Sequence, residues 1–257
     1  MSDHTLEYAR AKYPTAEYHP LLITEVTRMQ HDHFCIAAYD IHDRRMARPL
    51  RPKGDNWIFD EFQPPFRPGH LVKATPTGVP HGQMPHRTED MLLKSTMTVL
   101  ETWTAAEVFS GLLATTCETV AGAFGQPPLE DRYFIEGTQC PSLGGVRIER
   151  RRIAFRIDAG GRLRLHVEDT DGTVYSFAVT CDRLRYLFDR ETGKYGIAVA
   201  NRWLEETPPT DPIILRVGLA RGYAGASGEF IPKRCYLQIN GVLTRHPFGN
   251  SENDRKG

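Results

Sequence analysis

The sequence lacks the features that would assign it at once to a familiar class of protein. Its formal net charge is zero, with 32 basic and 32 acidic side chains, so the strongly basic balance of many nucleic-acid-binding proteins is missing. No apolar run approaches the roughly 20 residues of a membrane-spanning helix, and the polar N-terminus lacks the basic and apolar regions of a signal peptide. These absences predict a cytoplasmic protein that does not associate with membranes.

Cysteine pairs of the kind that bind zinc or carry out redox chemistry are also missing. The five cysteines are an odd number, are widely spaced and form no C-x-x-C motif. Most of them stand among apolar residues, which favours their interpretation as small buried side chains. The sequence therefore predicts neither a zinc ribbon nor a redox motif.

Catalytic and cofactor-binding motifs are equally scarce. No serine stands in G-x-S-x-G, and neither a Walker P-loop nor a G-x-G-x-x-G segment after a strand is present. Histidines cluster with acidic residues around His31, His33 and His42, and again around His81 and His86, without a compact motif such as H-E-x-x-H. The sequence thus predicts no cofactor, no metal and no catalytic residue. A metal-dependent enzyme that uses His31, His33 or His86 stays open as an alternative.

The sequence does contain a series of short apolar and β-branched segments with turn residues between them. The predicted strands span residues 21–27, 34–40, 44–50, 70–74, 146–157, 163–167, 174–179, 213–219 and 235–243. Asp171-Gly172 predicts a hairpin turn between two of them. Many short strands joined by Gly and Pro turns favour small β-barrels.

One long amphipathic helix is predicted between the two β-rich halves. Thr104 and Glu107 fit a capping box, apolar residues follow at helical spacing as far as Phe124, and Gly125 before two prolines ends the helix. Shorter helical segments are expected around residues 6–12 and within 181–190.

Several short segments resemble the dual-OB domain family of bacteria, a family of predicted nucleic-acid-binding and anti-phage defence components. The resemblance rests on TEVTR at 24–28, CIAAYD at 35–40, RPLRP at 48–52, PGHLV at 68–72, PHRTED at 85–90, LRVGL at 215–219 and CYL at 235–237. It spans residues 21–243 and departs from the family pattern at Ala38, where glycine is usual. The resemblance implies two OB-type barrels and no established catalytic residue.

The predicted fold is therefore mainly β with a few helices, arranged as two small OB-like barrels with the long helix between them. The predicted parts are a polar arm (1–19), a first OB-like domain (20–100), a helical connector and loop (101–145), a second OB-like domain (146–246) and a disordered tail (247–257). No repeat of clean period is visible in the sequence.

Two basic segments stand out in this neutral chain. From Arg44 to Lys73 there are seven Lys or Arg and three acidic residues, and from Arg147 to Arg164 there are seven Arg and two acidic residues. OB barrels commonly bind single strands through a positive groove with aromatic stacking platforms. The first half offers such material, and the predicted contact residues are Arg28, Arg48, Arg51, Trp57, Lys73 and His86.

The sequence predicts a non-enzymatic accessory module that binds nucleic acid, single-stranded rather than double-stranded, or a nucleotide. A protein-interaction subunit or a homo-oligomer is the main alternative, because Val108, Leu112 and Val120 would form an apolar patch if the long helix exposed them. The run Glu149-Arg150-Arg151-Arg152 has three possible interpretations: it binds nucleic acid, it docks another protein, or its charges protect a strand edge from aggregation.

Overall fold

A computed structural model of the chain describes residues 5–14, 17–29, 33–58, 66–78, 82–185 and 196–245. The chain is mainly β, with 44% strand and 18% helix, and its strands form two curled sheets, a half-barrel among them. This confirms the predicted fold class at the level of secondary structure. None of the described helices combines the length and the apolar character that crossing a bilayer requires.

The first sheet is built from the first half of the chain. Its strands are β1 (His19–Arg28), β2 (His33–Asp40), β3 (Arg45–Leu50), β4 (Trp57–Ile58), β5 (His70–Ala74), β6 (Pro76–Gly78), β7 (Asp90–Leu93) and β8 (Thr98–Thr102). β1, β2 and β3 form an antiparallel meander, β3 pairs in parallel with β7, and β7 pairs with β6. Only Thr75 separates β6 from β5, and β5 pairs with β1, so the order of pairing leads back to the first strand.

The second sheet is built from the second half. Its strands are β9 (Tyr133–Ile135), β10 (Leu143–Glu149), β11 (Ile153–Ile157), β12 (Leu163–Glu168), β13 (Val174–Val179), β14 (Pro212–Leu219) and β15 (Arg234–Leu243). β11, β12 and β13 form an antiparallel meander, β13 pairs in parallel with β15, and β15 pairs with β14. β14 pairs with β10, which a 3-10 turn at Arg150–Arg152 separates from β11.

The two sheets therefore follow one pairing scheme. Apart from the additional strands β4, β8 and β9, each sheet has a three-strand meander followed by two more strands, the second of which pairs in parallel with the third strand of the meander. The fourth strand pairs with both the fifth strand and the first. One strand in each sheet is broken into two pieces: the fourth strand at Thr75 in the first sheet, and the first strand at Arg150–Arg152 in the second. This duplication of strand pairing is not visible as a repeat in the sequence.

Each sheet encloses its own apolar core, and a third cluster lies between them. Alternate residues of β1, such as Leu21 and Ile23, point into the first core, and Leu165 and Phe177 point into the second. The third cluster joins Leu22, Tyr39, Leu71 and Trp103 of the first half to Ile214 of β14. Burying a side chain of this size stabilises the fold by about 1.5–3 kcal/mol, so the two halves are held together by apolar contacts as well as polar ones.

The predicted long helix is wrong, because the chain breaks it into α2 (Ala105–Leu113) and α3 (Val120–Phe124). The capping box is confirmed, since Thr104 and Glu107 make both of its hydrogen bonds, and Gly125 ends α3 with a left-handed φ of 73°. Between the helices, Cys117 donates its N–H to Gly145 O and accepts the N–H of Arg147. These bonds bind the backbone at Cys117 to β10 and take it out of the helix.

This segment does not expose the apolar residues that a docking patch would have required. Val108, Leu112 and Val120 are 3%, 0% and 0% exposed, because they pack into the cores. The short helix at the N-terminus is confirmed as α1 (Leu6–Lys12), whereas α4 (Gly196–Glu206) was not predicted.

The other predicted strands are found close to their expected bounds, and five short ones were missed: β4, β6, β7, β8 and β9. The residues at 182–185 are helical, and the rest of the helix predicted within 181–190 lies outside the described residues. His31, His81 and the predicted disordered tail at 247–257 lie outside them too.

Candidate nucleic-acid interface

The outer surface of β2 and β3, here called the junction face, is covered by the second half of the chain. Ala47 of β3 points into the first core, so its neighbours Met46 and Arg48 point outward. There Met46 accepts a hydrogen bond from Arg216 of β14, 2.7 Å from Nη2 to Sδ. The fold thus places this part of the first basic segment, around Met46 and Arg48, against the second half of the chain.

Arg48 is the centre of a buried polar network at the junction face. Its side chain is 4% exposed, with Nη1 2.6 Å from Asp90 Oδ1 and Nη2 donating to Ser142 Oγ at 3.0 Å. Ser142 donates its N–H and its hydroxyl to the two carboxylate oxygens of Glu89, at 2.9 and 2.8 Å. Burial raises the pKa of Glu89 despite these bonds. The arrangement fixes the second half of the chain onto the first.

His86 and Trp57 are buried as well. His86 Nε2 lies 2.9 Å from Leu219 O, and burial, with the nearby cation Arg48, lowers the pKa of His86 to about 4. Trp57 is 2% exposed and donates its indole N–H to Pro49 O at 2.9 Å. Arg48, Trp57 and His86 are thus buried, and their polar atoms bond within the protein. This placement does not favour the prediction that they contact a ligand.

A second buried ion pair lies at the same junction. Arg216 Nε is 3.2 Å from Glu25 Oε2, and both side chains are 1% exposed. The pair needs the glycine at position 145, since a Cβ there would lie 2.5 Å from Arg216 Nη1. The junction face is therefore buried, and its arginines Arg48 and Arg216 are paired with acidic side chains.

The remaining predicted contact residues lie at the surface of the first sheet. Arg28 is 3.1 Å from Asp182 Oδ1, and Lys73 lies 4.6 Å from the centre of the Tyr18 ring. Arg28 ends β1, whereas Lys73 pairs with Pro20 at the beginning of β1, so the structure places them at opposite ends of that strand. Arg51 follows β3 and is partly buried. Ligand contact by these three stays a prediction.

The corresponding outer surface of β12 and β13, here called the open face, is accessible among the described residues. The strand register puts Arg156 opposite Arg164, Arg164 opposite Ala178, and Ala178 opposite Gln238. These four residues form a row across β11, β12, β13 and β15. Their neighbours along the strands point into the second core, which fixes the row on the outside.

A groove of about 840 Å³ lies over this face and is called the arginine groove. Its floor comes from β12, β13 and β15, including Ser176 and Tyr236. The charged residues that line it are Arg132, Arg162, Arg164, Arg185, Asp131 and Asp158. Four cations and two anions leave the groove with an excess of positive charge.

Among the residues that the structure describes, only one of the groove arginines has an acidic partner. Arg164 Nε lies 2.9 Å from Asp158 Oδ2. Backbone N–H groups, first that of Arg162, and the Arg164 guanidinium lower the pKa of Asp158, so this carboxylate is ionised at neutral pH. Within the described residues, Arg132, Arg162 and Arg185 are exposed and make no side-chain hydrogen bond or ion pair. They are available for an anionic ligand.

His166 lies on the open face and adds no charge to it at neutral pH. His166 stands beside Ser176 on the open face, 3.3 Å from its hydroxyl. Burial, and then Arg156 and Arg164, lower the pKa of His166, so its ring is neutral at pH 7. Local cations that discourage the protonation of a histidine also favour the approach of phosphate.

The sequence contained part of this site. Arg162 and Arg164 belong to the second basic segment, whereas Arg132 and Arg185 come from segments with no basic signal. The run Arg150–Arg152 forms the turn between β10 and β11, where Arg150 bonds to Leu204 O and Arg152 to Asp169 O. Its arginines bond to nearby groups of the chain.

No protein-family model matches the sequence, and the comparisons with curated proteins and with solved structures returned no match.

Proposed function

We propose that this chain is a single-stranded nucleic-acid-binding module with two OB-type barrels, and that the strand binds in the arginine groove of the second barrel. The single observation that carries the proposal is a groove with three exposed arginines, unpaired among the described residues, over the open face of β12 and β13. The resemblance to the dual-OB family implies the same class of ligand. The accessory role in defence that it also implies stays a prediction.

The strand pairing supports the OB-type assignment. An OB fold is a five-stranded Greek-key barrel that is partly open. Each sheet follows a five-strand scheme in which the order of pairing leads from the third strand to the fifth, then to the fourth and back to the first. The repetition of one scheme in both halves favours two domains of one type over a single large sheet.

The position of the groove supports the choice of site. OB folds bind oligonucleotides on the face of strands 2 and 3, between the loop joining strands 1 and 2 and the loop joining strands 4 and 5. In the second barrel, strands 2 and 3 correspond to β12 and β13. Asp158 and Arg162 lie in the loop before β12, and Ala220 begins the loop after β14. All three line the groove.

The chemistry of the groove suits a single strand. Arginine forms paired hydrogen bonds with phosphate and also stacks on flat rings, so guanidinium groups serve both the backbone and the bases. Tyr236 adds one partly exposed aromatic ring to the floor. Double-stranded DNA is typically read by a helix or a two-stranded ribbon that enters its major groove, whereas the open face is the surface of a sheet.

Fluorescence anisotropy with labelled single-stranded DNA and RNA tests the proposal. We expect binding at about 50 mM salt. For each phosphate contact, the logarithm of the association constant should fall by roughly 0.7 when the salt concentration rises tenfold. The triple variant Arg132→Ala, Arg162→Ala, Arg185→Ala should lower the salt slope by about 2 and weaken binding at least tenfold.

A charge-matched control separates site binding from general attraction. Arg67, Arg87 and Arg202 are also exposed but lie outside the groove, and replacing all three by alanine changes the net charge equally. This control should bind as the unmodified protein does. Absence of binding at low salt, or an equal loss in both triple variants, would overturn the proposal.

A nucleotide is the second candidate ligand, because a volume of about 840 Å³ falls within the range typical of small-molecule sites. Competition with mononucleotides distinguishes a nucleotide site from a site for a single strand. If a mononucleotide displaces the labelled strand at concentrations comparable to those of an oligonucleotide, the groove is a nucleotide site. The scaffold alternative has lost its main support, since the residues of its apolar patch are buried.

A further inference from the structure

A separate cluster of metal-ligating side chains lies on the first sheet, away from the arginine groove. His19 begins β1, and His42 and Asp43 lie in the turn between β2 and β3. One possible ligand atom from each of the three lies within 4.8 Å of the other two. The sequence pointed to His42 with nearby acidic residues but not to His19, because only the pairing of β1 with β2 brings His19 to this turn.

Asp40 holds this cluster in place. Its side chain is fully buried, and Oδ1 accepts the N–H groups of His42 and Asp43, at 2.9 and 3.0 Å. Its other oxygen lies 2.6 Å from His19 Nδ1. One buried carboxylate therefore shapes the turn that carries two of the side chains and orients the ring of the third.

We propose that His19, His42 and Asp43 bind a divalent transition-metal ion of the Zn²⁺ type, with Asp40 as the outer carboxylate that orients His19. Two imidazoles and one carboxylate are a donor set that such ions prefer. Histidines that bind metals usually bond with their second ring nitrogen to a carboxylate or carbonyl, and the His19–Asp40 contact has this form. Three protein ligands leave a coordination position for water or a substrate.

The geometry permits closure around an ion. Bonds of about 2.0–2.2 Å place the ligand atoms of a tetrahedral site roughly 3.4 Å apart. His42 Nδ1 and Asp43 Oδ1 are 3.0 Å apart. Because Asp40 holds Nδ1 of His19 at 2.6 Å, Nε2 is the ring nitrogen of His19 that would bind the ion. The His42 side chain is 50% exposed and free to rotate toward the ion. Arg45 Nε lies 3.5 Å from Asp43 Oδ2, but its side chain is 54% exposed and can withdraw into solvent.

Metal titration of the full chain tests the site. The protein is treated with a chelator, kept reduced with a phosphine, and titrated with Zn²⁺ by calorimetry and with Co²⁺ by visible absorption. We expect one ion per chain, with His19→Ala and His42→Ala each weakening the affinity at least tenfold. Asp40→Asn should weaken it by about 10–100-fold, as loss of an outer carboxylate does.

His166→Ala is the matched control, because this histidine lies on the other sheet. It should bind the ion as the unmodified protein does. His42 is half exposed, so its alanine variant is expected to fold, which circular dichroism verifies. Three results would overturn the proposal: no stoichiometric binding, unchanged binding in His42→Ala, or a sulfur-to-cobalt charge-transfer band that places the ion at a cysteine.

Discussion

The junction face and the open face occupy equivalent positions in the two pairing schemes, and both carry arginines. On the junction face, Arg48 is buried and paired with Asp90, and it is covered by the second half of the chain. Next to the open face, in the loop before β12, Arg162 is exposed and unpaired among the described residues. The same residue type holds the two halves together on the junction face and is available for a ligand next to the open face.

This difference shows what decides the role of an arginine here. A guanidinium removed from water needs an acidic partner, and at the junction Glu25 and Asp90 are those partners. A guanidinium that stays in water needs no partner and can exchange solvent for phosphate. The predictions below test this division, from the largest expected effect to the smallest.

The largest effect is expected at the buried pair of Glu25 and Arg216. Arg216→Met leaves a buried carboxylate without its cation and should lower the free energy of unfolding by about 3–5 kcal/mol. Urea denaturation measures it. The double variant Glu25→Leu, Arg216→Met should recover a large part of the loss, because it removes both charges. A double variant no more stable than Arg216→Met would contradict the account.

The next effect is a dependence of stability on pH that comes from His86. Its folded-state pKa is about 4, below the ordinary value of 6.5, so the unfolded chain binds the proton more readily. The stabilisation is complete above pH 6.5 and is lost as pH falls toward 4, by about 3 kcal/mol in total. Comparing unfolding of the protein with that of His86→Gln isolates this residue, because Glu89 titrates in both. A pH-independent difference would contradict the burial of a neutral ring.

A smaller effect is expected for a single groove arginine. Arg162→Ala should weaken single-strand binding about fivefold, near 1 kcal/mol, and should lower the salt slope by roughly 0.7. Its free energy of unfolding should change by less than about 0.5 kcal/mol, because the side chain is exposed. Arg48→Met should show the reverse: a large loss of stability, and unchanged affinity at a temperature where it remains folded.

The smallest effect is expected for Lys73→Ala. Lys73 is exposed on the first sheet, and its recorded contact is with the Tyr18 ring. An exposed cation–π contact contributes about 0.5–1 kcal/mol at most, so stability should change little. Affinity for a single strand should stay within about twofold in anisotropy measurements. A tenfold loss of affinity would instead indicate that the binding surface lies on the first half of the chain.

The sequence predicted the fold class well where strand patterning is local. β13, for example, was found at its predicted bounds, because Val174 to Val179 alternate between core and solvent after the Asp171-Gly172 turn. It could not predict that Cys117 binds to β10, since a bond between distant segments leaves no periodic signal. The single long helix was therefore wrong although its cap was right.

The site was harder to predict for the same reason. Arg48 and Arg162 both stand in basic segments, and nothing local distinguishes the one that β10 and β14 cover from the one that stays exposed. Arg132 and Arg185 reach the groove from segments far apart in the chain. Composition drew attention to the arginines, and only the packing of the two halves decided which of them remain exposed.

The most direct measurement of the central claim is the location of a bound strand on the protein. Photo-crosslinking of a single-stranded oligonucleotide, followed by mass spectrometry, identifies the peptides that it touches. We expect crosslinks in the peptides of the arginine groove, including those of Tyr236 and of the loop before β12. Crosslinks confined to the first half, around Arg28 and Arg51, would contradict the account.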